Sequence, residues 1–517
     1  MGSCGNNFLS DDQIRKGVFP TPQIWVEKSQ EYLAKVFGEN WQDEYYIWDC
    51  CCGTGNLLAG LVNPYKVFAS TIDQADIDIL HTSINNGKCN LLAKHVFQFD
   101  FLNGNFEDLP NELRGIIDDP EKQKRLIVYM NPPYAEAMSK RDAKNPKTDV
   151  NRSQVEKKYS EAIGKSVREL YVQFFVRIAK EIPTCKLASF STLKYVCSPN
   201  FLRFRQHFKA TYKDGFICRA YTFDNVKGQF PIGFLVWDLS QKQTITKVKT
   251  EILANDRQVT TCWKEGTKIF HVIDDKNSIN DWLKQFIEES SEKNPIAMCC
   301  IGNDFQHNNF VNVSHSNQLS GVGNAKGIAK FVITQGNFIE ACIYFSVRHC
   351  MKATWLNNRD QFLFPNDGYL RNKTFQHDCI LFTLFHHQNR ISSKGGINHL
   401  IPFAEKEVKP KDNFRSKLLS DFLKDKKLSK EAKAVFVAGK ELWKYYHERI
   451  WKLRTPPIDA SLYEIREFFK GRDESGRMKT KSKDDRFNEL DAKLRSALKK
   501  LAEKIQPKVY EYGFLRK

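Results

Sequence analysis

No stretch of this 517-residue chain is apolar for long enough to cross a bilayer as a helix, which sets aside an integral membrane role. Paired CxxC motifs are missing too. The 14 cysteines are irregularly spaced, and Cys50, Cys51 and Cys52 are consecutive. Neighbouring side chains on a strand point to opposite faces, so these three cannot all grip one metal. No metal site is expected, and the cysteines read as reduced thiols used as small buried residues. The phosphate loop GxxxxGK[ST] is absent, which excludes that mode of nucleotide binding. The opening MGSCGNNFLS lacks the apolar core of a secretion signal, and Asn6 breaks the myristoylation pattern. The expected setting is therefore cytoplasmic, bacterial or archaeal and close to the nucleoid.

What the chain does have is length, apolar content and positive charge. Its size suggests two to four domains. Hydrophobic residues make up 41% and aromatics 13%, enough for real cores. The formal net charge is +18 and the pI about 9.1, a balance that points to a polyanionic partner.

From about Val18 to Leu239, short apolar runs alternate with helical patterns. YIWDCC, KVFASTID, AKHVFQFDF, RLIVYMN, CKLASFST and GFLVWDL read as strands. NLLAGLV is expected to start a helix, and ELYVQFFVRIAKEI repeats its apolar residues at helical spacing. Such alternation predicts a parallel α/β sheet over residues 1–240. Residues 241–411 form a second expected domain, mixed α/β, with strand-like pieces such as KFVITQG and FIEACIYFSV. Residues 412–517 are helical and heavily charged.

Two strand ends carry chemistry. WDCCCGTGN holds D-x-x-x-G-x-G: a strand ends at Asp49, and Gly53 and Gly55 let the backbone turn tightly and a ligand approach. The third glycine of a dinucleotide fingerprint is missing. Asp73 ends the next strand, where a carboxylate can hold ribose hydroxyls, and Asp100 with Phe101 ends the one after. Asn131, Pro132, Pro133 and Tyr134 end the fourth, LIVYM. In a parallel sheet these ends share one edge, where open α/β sheets bind ligands.

FPTP, D-x-x-x-G-x-G, DF and NPPY, in that order, resemble an N6-adenine DNA methyltransferase of the gamma motif order. The resemblance covers about the first 240 residues. It implies a Rossmann-like S-adenosylmethionine-dependent methyltransferase domain, followed by a mixed α+β DNA-recognition domain with a helical C-terminal part. Carried over by position, Phe19 and Thr21 approach the methionine end of S-adenosyl-L-methionine, Asp49, Gly53 and Gly55 line methionine and ribose, and Asp100 and Phe101 hold the adenine. Relatives often place a carboxylate two positions before Asp73, where this chain has Thr71; either Asp73 takes over that role or the ribose is bound differently.

The resemblance also gives NPPY a role that physical chemistry supports. An adenine amino nitrogen is a poor nucleophile because its lone pair is spread into the ring. Two acceptors aimed at its N–H bonds, the Asn131 side-chain oxygen and the Pro132 carbonyl, expose that lone pair. The prolines fix the backbone so that the acceptors are preorganised. Tyr134 stacks on a base that must leave the duplex, and Phe230 offers a second aromatic face. Lys140, Arg141 and Lys144, in the long polar connection after Tyr134, are expected on phosphates, and Arg348 and Lys352 on nucleic acid as well. The implied partner is double-stranded DNA, with either a separate restriction endonuclease or none. The rival readings are N4-cytosine methylation, RNA or protein N-methylation through the same NPPY chemistry, and a fused restriction–modification enzyme.

Overall fold

A computed structural model describes residues 20–134, 152–223, 226, 228–256, 258–273, 277–288, 295–314, 329–453 and 456–516. Phe19, Lys140, Arg141 and Lys144 lie outside them. The chain divides into two compact units.

The first unit spans Met1–Asp275 together with Thr354–Arg359. Its frame is a nine-stranded sheet in the order β3-β2-β1-β4-β5-β7-β6-β8-β9. The strands are β1 Tyr46–Asp49, β2 Val67–Thr71, β3 Val96–Gln98, β4 Leu126–Met130, β5 Lys186–Thr192, β6 Thr211–Arg219, β7 Pro231–Asp238, β8 Lys247–Asn255 and β9 Cys262–His271. The first five pair in parallel, and β7 inserts antiparallel between β5 and β6. VFAST and LIVYM are buried along their whole length, as expected of strands covered on both faces.

Alternation sorts the side chains. Ile47, Ala69, Ile127 and Tyr129 join a core with Trp25, Leu33, Ile77 and Leu80, which come from the helices Gln23–Phe37 and Gln74–Asn85. Trp48, Phe68 and Val128 join the core on the opposite face with Tyr171 and Phe175. The helix Leu170–Glu181 supplying those two rings is buried from Leu170 to Ala179.

Three expectations change here. NLLAGLV forms only a 3-10 turn, Asn56–Leu58, because the glycine turn delivers the chain straight into the next loop. The boundary at 240/241 falls inside the sheet, since β8 pairs with β6 and β9 with β8. The boundary at 411/412 falls inside the second unit, Lys276–Ala353 with Asp360–Lys517.

That second unit carries a three-stranded antiparallel sheet, β11-β10-β12, built from β10 Ala297–Ile301, β11 Val313–Ser314 and β12 Ala329–Ile333. Its core draws on the helices Phe338–His349, Lys373–Phe385, Lys430–Ile450 and Asp485–Glu511. FIEACIYFSV, expected as a strand, is the first of these helices; its aromatic and β-branched content hides a fully buried helical face.

Arg348 is a correction as well. It is 0% exposed, so it cannot touch DNA. Its Nε and Nη2 donate to the Asn308 Oδ1 at 3.0 and 2.6 Å, Nη2 donates to the Asp304 carbonyl at 2.5 Å, and Nη1 donates to the Gly302 carbonyl. Its guanidinium lies 4.8 Å from the Phe362 ring centroid. Lys352, by contrast, is exposed. Arg348→Met should lower the stability of this unit by about 3 kcal/mol, read from the urea midpoint, because several carbonyls lose a charged donor. An unchanged midpoint with weakened DNA binding would restore the contact role.

Candidate functional site

The order of the sheet decides where a site can form. From β1 the chain moves outward to β2 and β3, then returns across β1 to β4 and β5. The order reverses between β1 and β4, and the crevice outside the carboxyl ends at such a reversal is where open α/β sheets bind ligands. Asp49 ends β1, and Asn131 follows the last residue of β4. Trp48 is in register with Val128, so the two turns leave neighbouring strands side by side.

On the β1 side, Gly53 and Gly55 have φ of 51° and 80°, the left-handed region that favours glycine. A Cβ at Gly55 would stand 2.6 Å from the Leu80 Cδ2. The Cys52 N–H donates to the Ser70 carbonyl at 2.9 Å and ties the turn to β2. Asp49 is 1% exposed and accepts from the Cys51 N–H at 3.1 Å. It is therefore enclosed by the turn and offers no surface of its own. Burial raises its pKa to about 7, and the Cys51 N–H offsets part of that rise. The folded state thus holds this proton more tightly than the unfolded chain. Its stabilising contribution is present in acid and lost as pH rises toward about 7.

On the β4 side, the Asn131 amide is clamped at both ends. Its Nδ2 donates to the Thr21 Oγ1 at 2.9 Å, and its Oδ1 accepts from the Tyr134 hydroxyl at 2.5 Å. Thr21 is 5% exposed and stands just before the helix Gln23–Phe37. That helix is moored by the Trp25 Nε1 donating to the Thr222 Oγ1 at 2.9 Å and by a 2.5 Å hydrogen bond between the Ser29 and Tyr129 hydroxyls. Pro132 is buried and Pro133 half-buried. Burial pushes the Tyr134 phenol well above its ordinary pKa, so it keeps its proton and donates at neutral pH. Tyr134 and Phe230 are both half-buried against the same core.

The remaining expected residues divide. Asp73 is exposed and caps the helix Gln74–Asn85 through the Ala75 N–H, at 3.0 Å. Asp76, one turn into that helix and missed by the sequence reading, is 7% exposed. It hydrogen-bonds Thr71, and its Oδ2 would lie 3.9 Å from a Cβ on Gly53. Burial and then the neighbouring Asp73 raise its pKa. Nothing in a helical DIDIL pattern separates this acid from its exposed neighbours before β2 and the glycine turn are placed.

Asp100 accepts the Leu102 and Asn103 N–H groups at 2.9 and 3.1 Å and so shapes its own loop. Phe101, expected on an adenine, is a core residue instead: it is 3% exposed and stacks on Phe174 at 5.0 Å. Arg177 holds this corner by donating to the Phe101 and Gly104 carbonyls. A ring so enclosed offers a ligand no face.

The strand order, with β7 antiparallel between β5 and β6, the glycine turn after β1 and the Asn131 turn after β4 make up a Rossmann-like α/β fold. No family model matches the chain, and no curated protein matches it. Among solved structures it is similar to DrdV in complex with DNA, at 13% identity and TM-score 0.34, over 51% of this chain and 28% of that one. It is also similar to the methyltransferase subunit of a type I restriction-modification system from Streptococcus thermophilus, at 13% identity and TM-score 0.32, over 45% and 46%. A putative class I S-adenosylmethionine-dependent methyltransferase from Listeria monocytogenes gives 16% identity and TM-score 0.29, over 46% and 68%. The chain thus spans less than half the length of the first two. Likeness of this degree carries no functional conclusion.

Gly55→Ala should cost about 2 kcal/mol from the left-handed φ alone, with a further penalty where the methyl meets Leu80. Leu80→Ala alone opens a cavity, and measured against that background the cost of Gly55→Ala should fall by only the second part, as thermal unfolding of both single variants and the double would show. Full recovery would mean that the φ carries no strain.

Proposed function

We propose that the chain is a site-specific DNA adenine methyltransferase, moving a methyl group from S-adenosylmethionine to N6 of an adenine flipped out of duplex DNA. The observation that carries this is the clamped Asn131 amide at the reversal of the sheet, beside the glycine turn and stiffened by Pro132 and Pro133.

The residues fit the cofactor. Gly53 and Gly55 leave room for its methionine and ribose, Thr21 stands on the methionine side, and the buried Asp49 adds negative charge beneath the turn. Asp76, which faces that turn, is a better partner for ribose hydroxyls than the exposed Asp73. When bound, the cofactor supplies an electrophilic methyl group on a sulfonium.

The chain's own part is to prepare the nitrogen. The Tyr134 hydroxyl occupies the Asn131 Oδ1 in this structure. On entry, an adenine N–H displaces it and donates to the same oxygen, while the second N–H donates to the Pro132 carbonyl. Both acceptors draw the amino group toward a tetrahedral form, and its freed lone pair takes the methyl. The bound cofactor would give up that methyl with its thioether as the leaving group, and N6 sheds a proton only afterwards, so the chain needs no strong base. The Tyr134 and Phe230 rings hold the base. Duplex DNA suits the net charge of +18, with Lys140, Arg141, Lys144 and the exposed Lys352 as proposed contacts.

The protein should be incubated with labelled S-adenosylmethionine and unmethylated genomic DNA, and the product digested to nucleosides for mass spectrometry. Labelled N6-methyl-2′-deoxyadenosine is expected. N4-methylcytosine would keep the fold and reassign the pocket, while label only in RNA or protein controls would overturn the DNA reading. Asn131→Ala should abolish transfer while cofactor affinity by calorimetry stays within a few-fold.

A titration follows from Asp49. Cofactor affinity should weaken as pH falls below about 7, where Asp49 takes up its proton, by less than the tenfold per pH unit that one coupled proton allows. Asp49→Asn should flatten the dependence. An equally steep profile in that variant would remove Asp49 from the cofactor's electrostatics.

A further inference from the structure

Phe230 sits at a corner built by residues that lie far apart in the chain. It precedes β7, and its carbonyl accepts the Ala220 N–H at 3.0 Å. Arg219 ends β6 in register with Pro231. The guanidinium of Arg219 lies over the Trp355 ring, 5.0 Å from its centroid. Trp355 is 7% exposed and part of the core on the face that holds Trp48. Four residues on, the guanidinium of Arg359 lies 5.3 Å from the Phe230 ring centroid. Arg359 is 9% exposed, and its carbonyl accepts from the Cys197 Sγ at 3.4 Å. The short segment Thr354–Arg359 is thus anchored at one end by Trp355 and placed against Phe230 at the other, inside the first unit. Gly228 completes the corner: a Cβ there would overlap the Phe230 Cε1 and Cδ1, so only glycine lets the backbone lie against that edge of the ring.

We infer that Arg359 is a positioning residue for Phe230, holding its ring by a cation–π contact in the orientation that receives the base. A planar guanidinium over a half-buried ring restricts how the ring turns, and a base meeting a fixed face loses less freedom on stacking. Gly228 bounds the same ring from its edge. The segment 354–359 thereby belongs to base capture, although the sequence places it among residues of the second unit. This rests on Phe230 stacking the flipped base.

The test uses the full-length protein. Sequencing of methylated genomic DNA identifies the modified adenine, and a duplex carrying 2-aminopurine in its place is the probe. Time-resolved fluorescence separates a base inside the helix, a base free outside it and a base stacked on a ring. Phe230→Ala should remove the stacked population. Arg359→Met, which keeps bulk without charge, should lower the ratio of stacked to free extrahelical base about tenfold, and Arg359→Lys should recover part of it. Gly228→Ala should also lower the ratio by displacing the ring. Cofactor affinity by calorimetry should not change in any of them. If Phe230→Ala removes the stacked population and Arg359→Met leaves it intact, the inference is overturned and the reading of Phe230 stands. If Phe230→Ala leaves it intact, that reading falls and takes the inference with it.

Discussion

The hydrogen bond from the Asn131 Nδ2 to the Thr21 Oγ1 joins two parts of the chain 110 residues apart. One is the end of the central strand β4; the other is the lead into the helix Gln23–Phe37. That helix is fixed on the sheet by buried partners, the Trp25 indole on Thr222 and the Ser29 hydroxyl on Tyr129. Because Tyr129 is itself a residue of β4, the strand positions the helix and the helix then orients the amide at the strand's end. An amide can turn over at little cost unless both its ends are engaged. Here both are, and which atom faces the crevice follows from the packing of the whole face.

Electrostatics at the crevice are set by burial more than by ion pairs. Asp49 and Asp76 are both buried enough that their pKa values rise, and each leans on a small donor, the Cys51 N–H or Thr71. The Tyr134 phenol is raised in the same manner and stays a donor. The Asn131 acceptor is satisfied by that phenol, which spares the fold the cost of a half-buried unmet oxygen.

Much of the first unit was legible in the sequence because its strands are short and wholly buried. VFAST and LIVYM have no reading other than central strands once helices alternate with them. The crevice was legible for the same reason, since Asp49 and Asn131 end such runs. What was not legible depends on partners distant in sequence. Asp73 and Asp76 differ by one helical turn, and only the placed glycine turn says which one faces inward. Arg348 looks like a phosphate contact until Asn308 and the carbonyls near it are seen around it. Phe101 follows Asp100 in a motif, yet its ring turns into the core because Phe174 and Arg177 wait there. FIEACIYFSV misled because a helix buried on all sides loses the polar stripe that marks its period.

The return of residues 354–359 to the first unit has a consequence for how such a protein can be divided or inherited. A fragment ending near residue 275 would contain every strand of the large sheet and still lack Trp355, leaving a tryptophan-sized void in its core. Exchanging the chain after residue 275 for another would have to preserve a tryptophan and an arginine four residues apart in the middle of the imported piece. Recombination at the linear boundary alone would part Trp355 from the core it fills and Arg359 from the Phe230 ring it lies over, in one event.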